Sequence, residues 1–230
     1  MKKSLIYILS ALVVFSILGG MFVFSSDAFK GDNNAHNNSE LTVDMNGDWR
    51  LVVHKTPSEM ETDIGFLTLN SESGTAHIER NSEGNVTASD HTWSVSDNKL
   101  VVDGVGSFIV DVKTENYVHL YEAQDCYFGA IRCFDRDSVA DEPHGTWNVT
   151  FHQANQSFSD EYIVFENSTL YDYRDNAAAP ALVTGYHMTG PDRMYVDELH
   201  QDVLIRCSSD KLMFFVERES GRIWELQIQE

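Results

Sequence analysis

Two stretches of this chain, 98 positions apart, begin alike, and that repetition limits what the chain can fold into. Gly47-Asp48-Trp49 opens the run Asp48-Trp-Arg-Leu-Val-Val-His54, and Gly145-Thr146-Trp147 opens Thr146-Trp-Asn-Val-Thr-Phe-His152. Each opening leads into short β-branched and aromatic runs separated by polar turns, the pattern of antiparallel strands. In the first copy strands are read near 48–54, 64–69, 74–80, 91–95, 99–103, 107–112, 117–123 and 126–134. In the second they are read near 146–152, 161–166, 168–173, 183–189, 193–197, 202–207, 211–217 and 222–229. Turn residues such as Asp103-Gly104, Thr114-Glu115-Asn116, Gly190-Pro191-Asp192 and Ser220-Gly221 divide them. A second correspondence supports duplication: residues 109–122 align without gaps on 204–217, an offset of 95. The copies therefore differ by three residues of loop, 98 less 95. No apolar periodicity of helical length is present, so the fold class is all-β: two tandem antiparallel meanders, closed as barrels or folded as sandwiches.

The 230 residues divide accordingly. Residues 44–135 and 145–230 form the two β domains, joined by a charged, Pro-bearing linker at 136–144. Residues 1–28 are a signal peptide or an N-terminal membrane anchor. Lys2 and Lys3 precede an uncharged run from Ser4 to Phe24, long enough to cross a bilayer as a helix. A cleaved signal ending at Ser26-Asp27-Ala28 is the alternative. Either way the paired lysines hold that end inside and send the rest out of the cytoplasm. The lack of Cys near the end of the run excludes a bacterial lipoprotein anchor. Residues 29–43, polar and Asn-rich, read as a flexible stalk.

Charge excludes one class of partner. With 36 acidic and 16 basic residues the net charge is -20, a field that repels phosphate backbones, so no nucleic acid is expected. Cys126, Cys133 and Cys207 suit an oxidising compartment but cannot all pair within one chain. Along one continuous strand Cys126 and Cys133 lie too far apart to bond; a turn at Gly129 would bring them together, and a bond from either to Cys207 would staple the two copies. Buried free thiols are the remaining alternative.

The Gly-x-Trp openings, the all-β pattern and the repeat length together resemble lipocalin-like proteins, in particular the small lipocalin-like domains of bacterial surface proteins. The matching residues are Gly47, Trp49, Gly145 and Trp147. The resemblance implies that each Trp packs across the closed end of a barrel. It also implies an Arg near the last strand, for which Arg132 and Arg222 lie in the right region. It implies no common ligand. On physical grounds alone Trp49 and Trp147 are core residues, and Trp93, alternating with Val95, is core as well.

Little in the chain signals chemistry. The nine histidines include no strong metal spacing; His187 and His200 with Asp197 and Glu198 are the densest group, and no metal or other cofactor is expected. Asp44-Met-Asn-Gly-Asp48 departs from a calcium loop in its Gly position and lacks the twelfth-position Glu. Five Asn-x-Ser/Thr sequons, at Asn37, Asn85, Asn148, Asn155 and Asn167, matter only in a eukaryotic host. There is no nucleophile elbow or phosphate loop, and the carboxylates of Pro57–Asp63 read as a solvated loop. No catalytic residue is assigned. The expectation is a non-catalytic extracytoplasmic binding module, taking a small apolar ligand or a cell-surface protein, and held to the membrane by residues 4–24 if these are not cleaved. A spacer without a ligand is the alternative, and a hydrolase a more distant one.

Overall fold

The structure, a computed structural model, describes residues 43–229 apart from 83–84, 124, 137–141, 154–155, 175–176, 207–208 and 210. The N-terminal apolar run, nearly all of the stalk, Asn37, Asn155 and Cys207 lie outside the described residues. Among the described residues no helix is long and apolar enough to cross a membrane. Sixteen strands follow one another among the described residues. The first eight are β1 (Gly47–Lys55), β2 (Met60–Asn70), β3 (Thr75–Ser82), β4 (Asn85–Ser96), β5 (Lys99–Val102), β6 (Gly106–Thr114), β7 (Tyr117–Ala123) and β8 (Cys126–Arg132). The second eight are β9 (Gly145–Gln153), β10 (Gln156–Glu166), β11 (Thr169–Arg174), β12 (Leu182–Gly190), β13 (Arg193–Val196), β14 (Gln201–Arg206), β15 (Leu212–Glu217) and β16 (Ile223–Ile228).

Each set of eight closes on itself. β1 pairs with β2 and β8, and β9 pairs with β10 and β16, so two antiparallel meander barrels stand in tandem. Closure removes the free sheet edge that an open meander would expose. Of the two architectures left open by the sequence, sandwiches are thus replaced by barrels.

Alternation along the strands fills the interiors. Trp49, Leu67, Leu69, Leu100, Val118 and Leu120 belong to the core of barrel 1; Trp147, Ile163, Phe165, Met213, Phe215 and Trp224 belong to that of barrel 2. The 95-residue offset survives in space: Val118 and Leu120 face inward on β7 where Met213 and Phe215 do on β15. A third apolar cluster lies between the barrels. Val52, Val53, Tyr117, Ile131 and Cys133 of the first meet Leu204, Leu212, Phe214, Val216 and Ile223 of the second. β15 is therefore buried at all six positions, one face serving its own barrel and the other the neighbour.

β4 is the opposite extreme. It has no buried residue, and it begins at Asn85 rather than near residue 91. Its first part, Asn85-Val-Thr-Ala-Ser-Asp90, carries no alternating apolar pattern, which is why the sequence gives no strand signal there. That part pairs with β3, whereas β5 pairs with β4 only over Trp93–Ser96, so the hairpin projects with one edge open. β2 likewise starts earlier than the sequence pattern indicates, at Met60, inside the segment read as a solvated loop.

Candidate functional site

Each barrel has a floor and a mouth. At the floors the two motif glycines take positive φ, 112° at Gly47 and 83° at Gly145, a region that favours residues without a Cβ. The indole N–H of Trp49 donates to the Met45 carbonyl at 2.8 Å, and that of Trp147 donates to the His144 carbonyl at 2.8 Å. Arg132, opposite Trp49 on β8, lays its guanidinium 4.5 Å from the indole centre and donates to the carbonyls of Asn46 and Asp44. In barrel 2 the residue opposite Trp147 is Ile228, and Arg222 sits at the far end of β16, near Glu217. Two clefts open beside the floors. One, of about 320 Å³, is lined by Val43, Met45, Trp93 and Val95; the other, of about 340 Å³, by Pro143, His144, Phe165 and Tyr186. Both are open to the surface.

The mouths differ more than the floors. In barrel 2, Glu217 is buried: its carboxylate accepts from Trp224 Nε1 at 2.7 Å and from the Ser220 hydroxyl, with Arg222 at 3.6 Å. Phe151 packs edge-on against Trp224 beneath it. In barrel 1 the equivalent carboxylate, Glu122, is exposed and accepts from the Cys126 thiol at 3.3 Å. His54 stacks flat on Phe128, 4.3 Å between ring centres, with Nδ1 at 3.5 Å from Glu61. One ligand atom from each of His54, Glu122 and Cys126 lies within 4.8 Å of the others. Burial, then the hydrogen bond and charge of Glu122, push the Cys126 thiol up to about 11, so it is held as S–H.

Why these three converge follows from strand phase. Phe128 and Leu120 face into barrel 1, so Cys126 and Glu122, each two residues away on the same strands, share that face. A register shift in β7 between Tyr121 and Ala123 brings Glu122 over Cys126. His54 joins them because β1 carries an extra residue against β8, between Leu51 and Val53.

A polar seam runs beside the apolar cluster between the barrels. Glu225 accepts from His152 Nε2 at 3.1 Å and, across the interface, from the Thr114 hydroxyl at 2.8 Å and the Asn116 amide at 3.4 Å. Burial would raise the Glu225 carboxyl, but hydrogen bonds from His152 and Thr114 outweigh it and hold the group below its usual range. Tyr117 packs 4.6 Å from the His152 ring and bonds His119 Nε2 at 2.6 Å; Tyr121 lies 3.1 Å from His119 Nδ1. Further along, Arg206 clasps Asp63 of barrel 1 at 2.9 Å and Asp192 of its own barrel at 2.7 Å. Asp63, dismissed in the sequence as one carboxylate among many, is a bridge between the barrels, and its φ of 58° shows how sharply β2 turns to present it.

Ser157, His152 and Glu225 stand in a row, with Ser157 Oγ 2.9 Å from His152 Nδ1. In a hydrolase relay the hydroxyl faces Nε2 and the acid Nδ1, the reverse of the order here. Glu225 is moreover shared with Thr114 and Asn116 of the other barrel, which ties the row to the seam.

The residues singled out from the sequence are dispersed. Gly47 and Trp49 lie at one floor, Gly145 and Trp147 at the other. His187 pairs with Asp197 at 3.3 Å, while His200 turns to the Tyr195 hydroxyl at 3.2 Å and the Glu198 N–H donates to Thr184. β8 runs straight through Gly129, where an added Cβ would come within 3.0 Å of the Tyr117 hydroxyl. Cys126 and Cys133 consequently lie at opposite ends of that strand, Cys126 as a free thiol and Cys133 buried in the inter-barrel cluster. Sequence reasoning passed over His54, Glu122, Arg206 and Glu225. A signal for His54 was present: Leu51-Val52-Val53 breaks the alternation that Val149-Thr150-Phe151 keeps. Compared with known proteins, the chain matches no family model and no curated protein.

Proposed function

We propose that this chain is a non-catalytic extracytoplasmic binding module built on two lipocalin-like barrels, and that it engages a protein partner through its outer surface. The observation that carries the reading is the packing of both interiors. Trp49 and Trp147 close the floors, and aromatic and aliphatic side chains occupy the space above them, where a lipocalin would hold its ligand. Binding then belongs to the walls. One wall of each barrel is spent on the other barrel, which leaves the β3–β4 hairpin as the most prominent free element. Its open edge over Asn85–His91 offers backbone groups to an added strand, and Val86 is 66% exposed there. The stacking of Arg132 on Trp49 supports kinship with lipocalins. The uncharged run from Ser4 to Phe24 behind Lys2 and Lys3 supports a location outside the cytoplasm.

A photo-crosslinking residue placed at Val86, with a control at Glu219, tests this on intact cells displaying the full chain. A protein adduct specific to position 86 is the expected outcome. Adducts equal at both positions, or a stoichiometric apolar molecule found by mass spectrometry of the purified protein, would overturn it.

A further inference from the structure

We propose that the mouth of barrel 1 is a site for a borderline-soft divalent metal ion, zinc in the first instance, held by His54, Glu122 and Cys126. The three side chains come from neighbouring strands, β1, β7 and β8, on the face that lines the barrel, and their ligand atoms lie within 4.8 Å of one another. One imidazole nitrogen, one carboxylate oxygen and one sulfur are the donor types zinc takes, and hard cations such as calcium or magnesium do not take thiolate. Charge matches too. A thiolate and a carboxylate cancel the two positive charges of the ion, with His54 neutral. Binding replaces the S–H of Cys126 by a sulfur–metal bond and releases that proton to solvent. Three protein ligands leave a fourth position toward the solvent for water.

The surroundings fit a ligand set that is held in place. Phe128 fixes the plane of the His54 ring by stacking at 4.3 Å, and Glu61 stands 3.5 Å from its Nδ1, the position of a carboxylate that orients a metal-bound histidine. Barrel 2 provides the internal control. There the equivalent carboxylate, Glu217, is closed off by Trp224, Ser220 and Arg222, and Phe151 takes the place of His54 against the aromatic ring below. Closing a mouth of this fold therefore needs no His–Glu–Cys set. Barrel 1 gives up that closure and gathers three metal ligands instead.

Isothermal titration of zinc chloride into the reduced full chain in detergent micelles tests the site. It is expected to show one saturable site with release of about one proton per ion. Cys126→Ser and His54→Gln are each expected to weaken that binding about tenfold or more, and His187→Gln to leave it unchanged. Cobalt(II) should give a sulfur charge-transfer band that Cys126→Ser abolishes. If His54→Gln unfolds the chain, Glu122→Gln, at an exposed position, takes its place with the same expectation. The absence of a saturable site, or equal zinc affinity in the wild type and in the Cys126→Ser and Glu122→Gln variants, would overturn the proposal. Since the readout is the metal itself, the result is independent of whether the β3–β4 hairpin binds a protein.

Discussion

His54 and His152 close the same seven-residue run, 98 positions apart, yet end on opposite faces of their barrels. Against β16, β9 pairs residue for residue from Trp147 to His152, so Phe151 points in and His152 points out into the seam with Glu225. Against β8, β1 accommodates one extra residue at Val52. Both Val52 and Val53 then join the inter-barrel cluster, and His54 returns to the inside. A single inserted residue thus exchanges the two faces of everything after it, because side chains alternate with period two. The repeated run carries the histidine twice; strand register decides what each copy does.

Removing the extra residue should have the largest effect. Deleting Val52, which is fully buried, is expected to send His54 toward the apolar cluster and to cost at least about 3 kcal/mol in urea denaturation. A loss under about 1 kcal/mol would show that β1 can re-register without penalty.

The two mouth carboxylates should differ next most. Glu217→Ala leaves the buried Trp224 Nε1 without its acceptor and is expected to cost about 3 kcal/mol. Glu122→Ala, at the equivalent exposed position, is expected to change stability by less than about 0.5 kcal/mol. Similar values for both would contradict the assignment of a closed and an open mouth.

Acid should act on the seam in two stages. Burial first, and Lys113 and His152 second, pull His119 from 6.5 down to about 3. The unfolded chain therefore takes up a proton near 6.5 that the folded chain refuses until about 3, and stability present at neutral pH is lost as pH falls through that window. Glu225 and Asp63 act lower. Burial opposes their ionisation, but His152 and Thr114 for one, and Arg206 and Arg50 for the other, hold them below 4.5 and 3.8; their contribution is present above those values and disappears as pH drops below them. Urea midpoints of the wild type should fall between neutrality and mid-window, and His119→Phe should flatten that interval. An undiminished slope in the variant would assign the proton to another group.

The floors offer the smallest test. Arg132→Ile gives barrel 1 the residue that barrel 2 has opposite its Trp, and should cost about 1 kcal/mol through the lost stacking on Trp49. A neutral result would mean that the tie to the carbonyls of Asn46 and Asp44 is dispensable as well.

Much of the fold was legible in the chain. The Gly-x-Trp pair, the gapless match of residues 109–122 on 204–217 and the turn residues lead to sixteen strands in two sets because each reports a local, repeated geometry. What escaped was long-range or unpatterned. The start of β4 is polar on both faces, so no alternation marks it. The second face of β15 is apolar because another barrel covers it, which Leu212-Met-Phe-Phe-Val216 states only as a continuous apolar run. The site residues were hidden for a different reason. His54, Glu122 and Cys126 are far apart in sequence and meet only through barrel closure, and Asp63 is distinguished from its acidic neighbours solely by facing Arg206.

The shared wall also constrains how the molecule is made. Barrel 1 is complete at Arg132, but the strands that cover its outer face run to Ile228, 96 residues later. Until those strands emerge, Val52, Val53, Tyr117 and Ile131 face solvent, and a chain stopped after barrel 1 presents that sticky patch permanently. Synthesis must therefore deliver both barrels faster than the first can find another partner, so the interface makes the tandem a single unit of quality control.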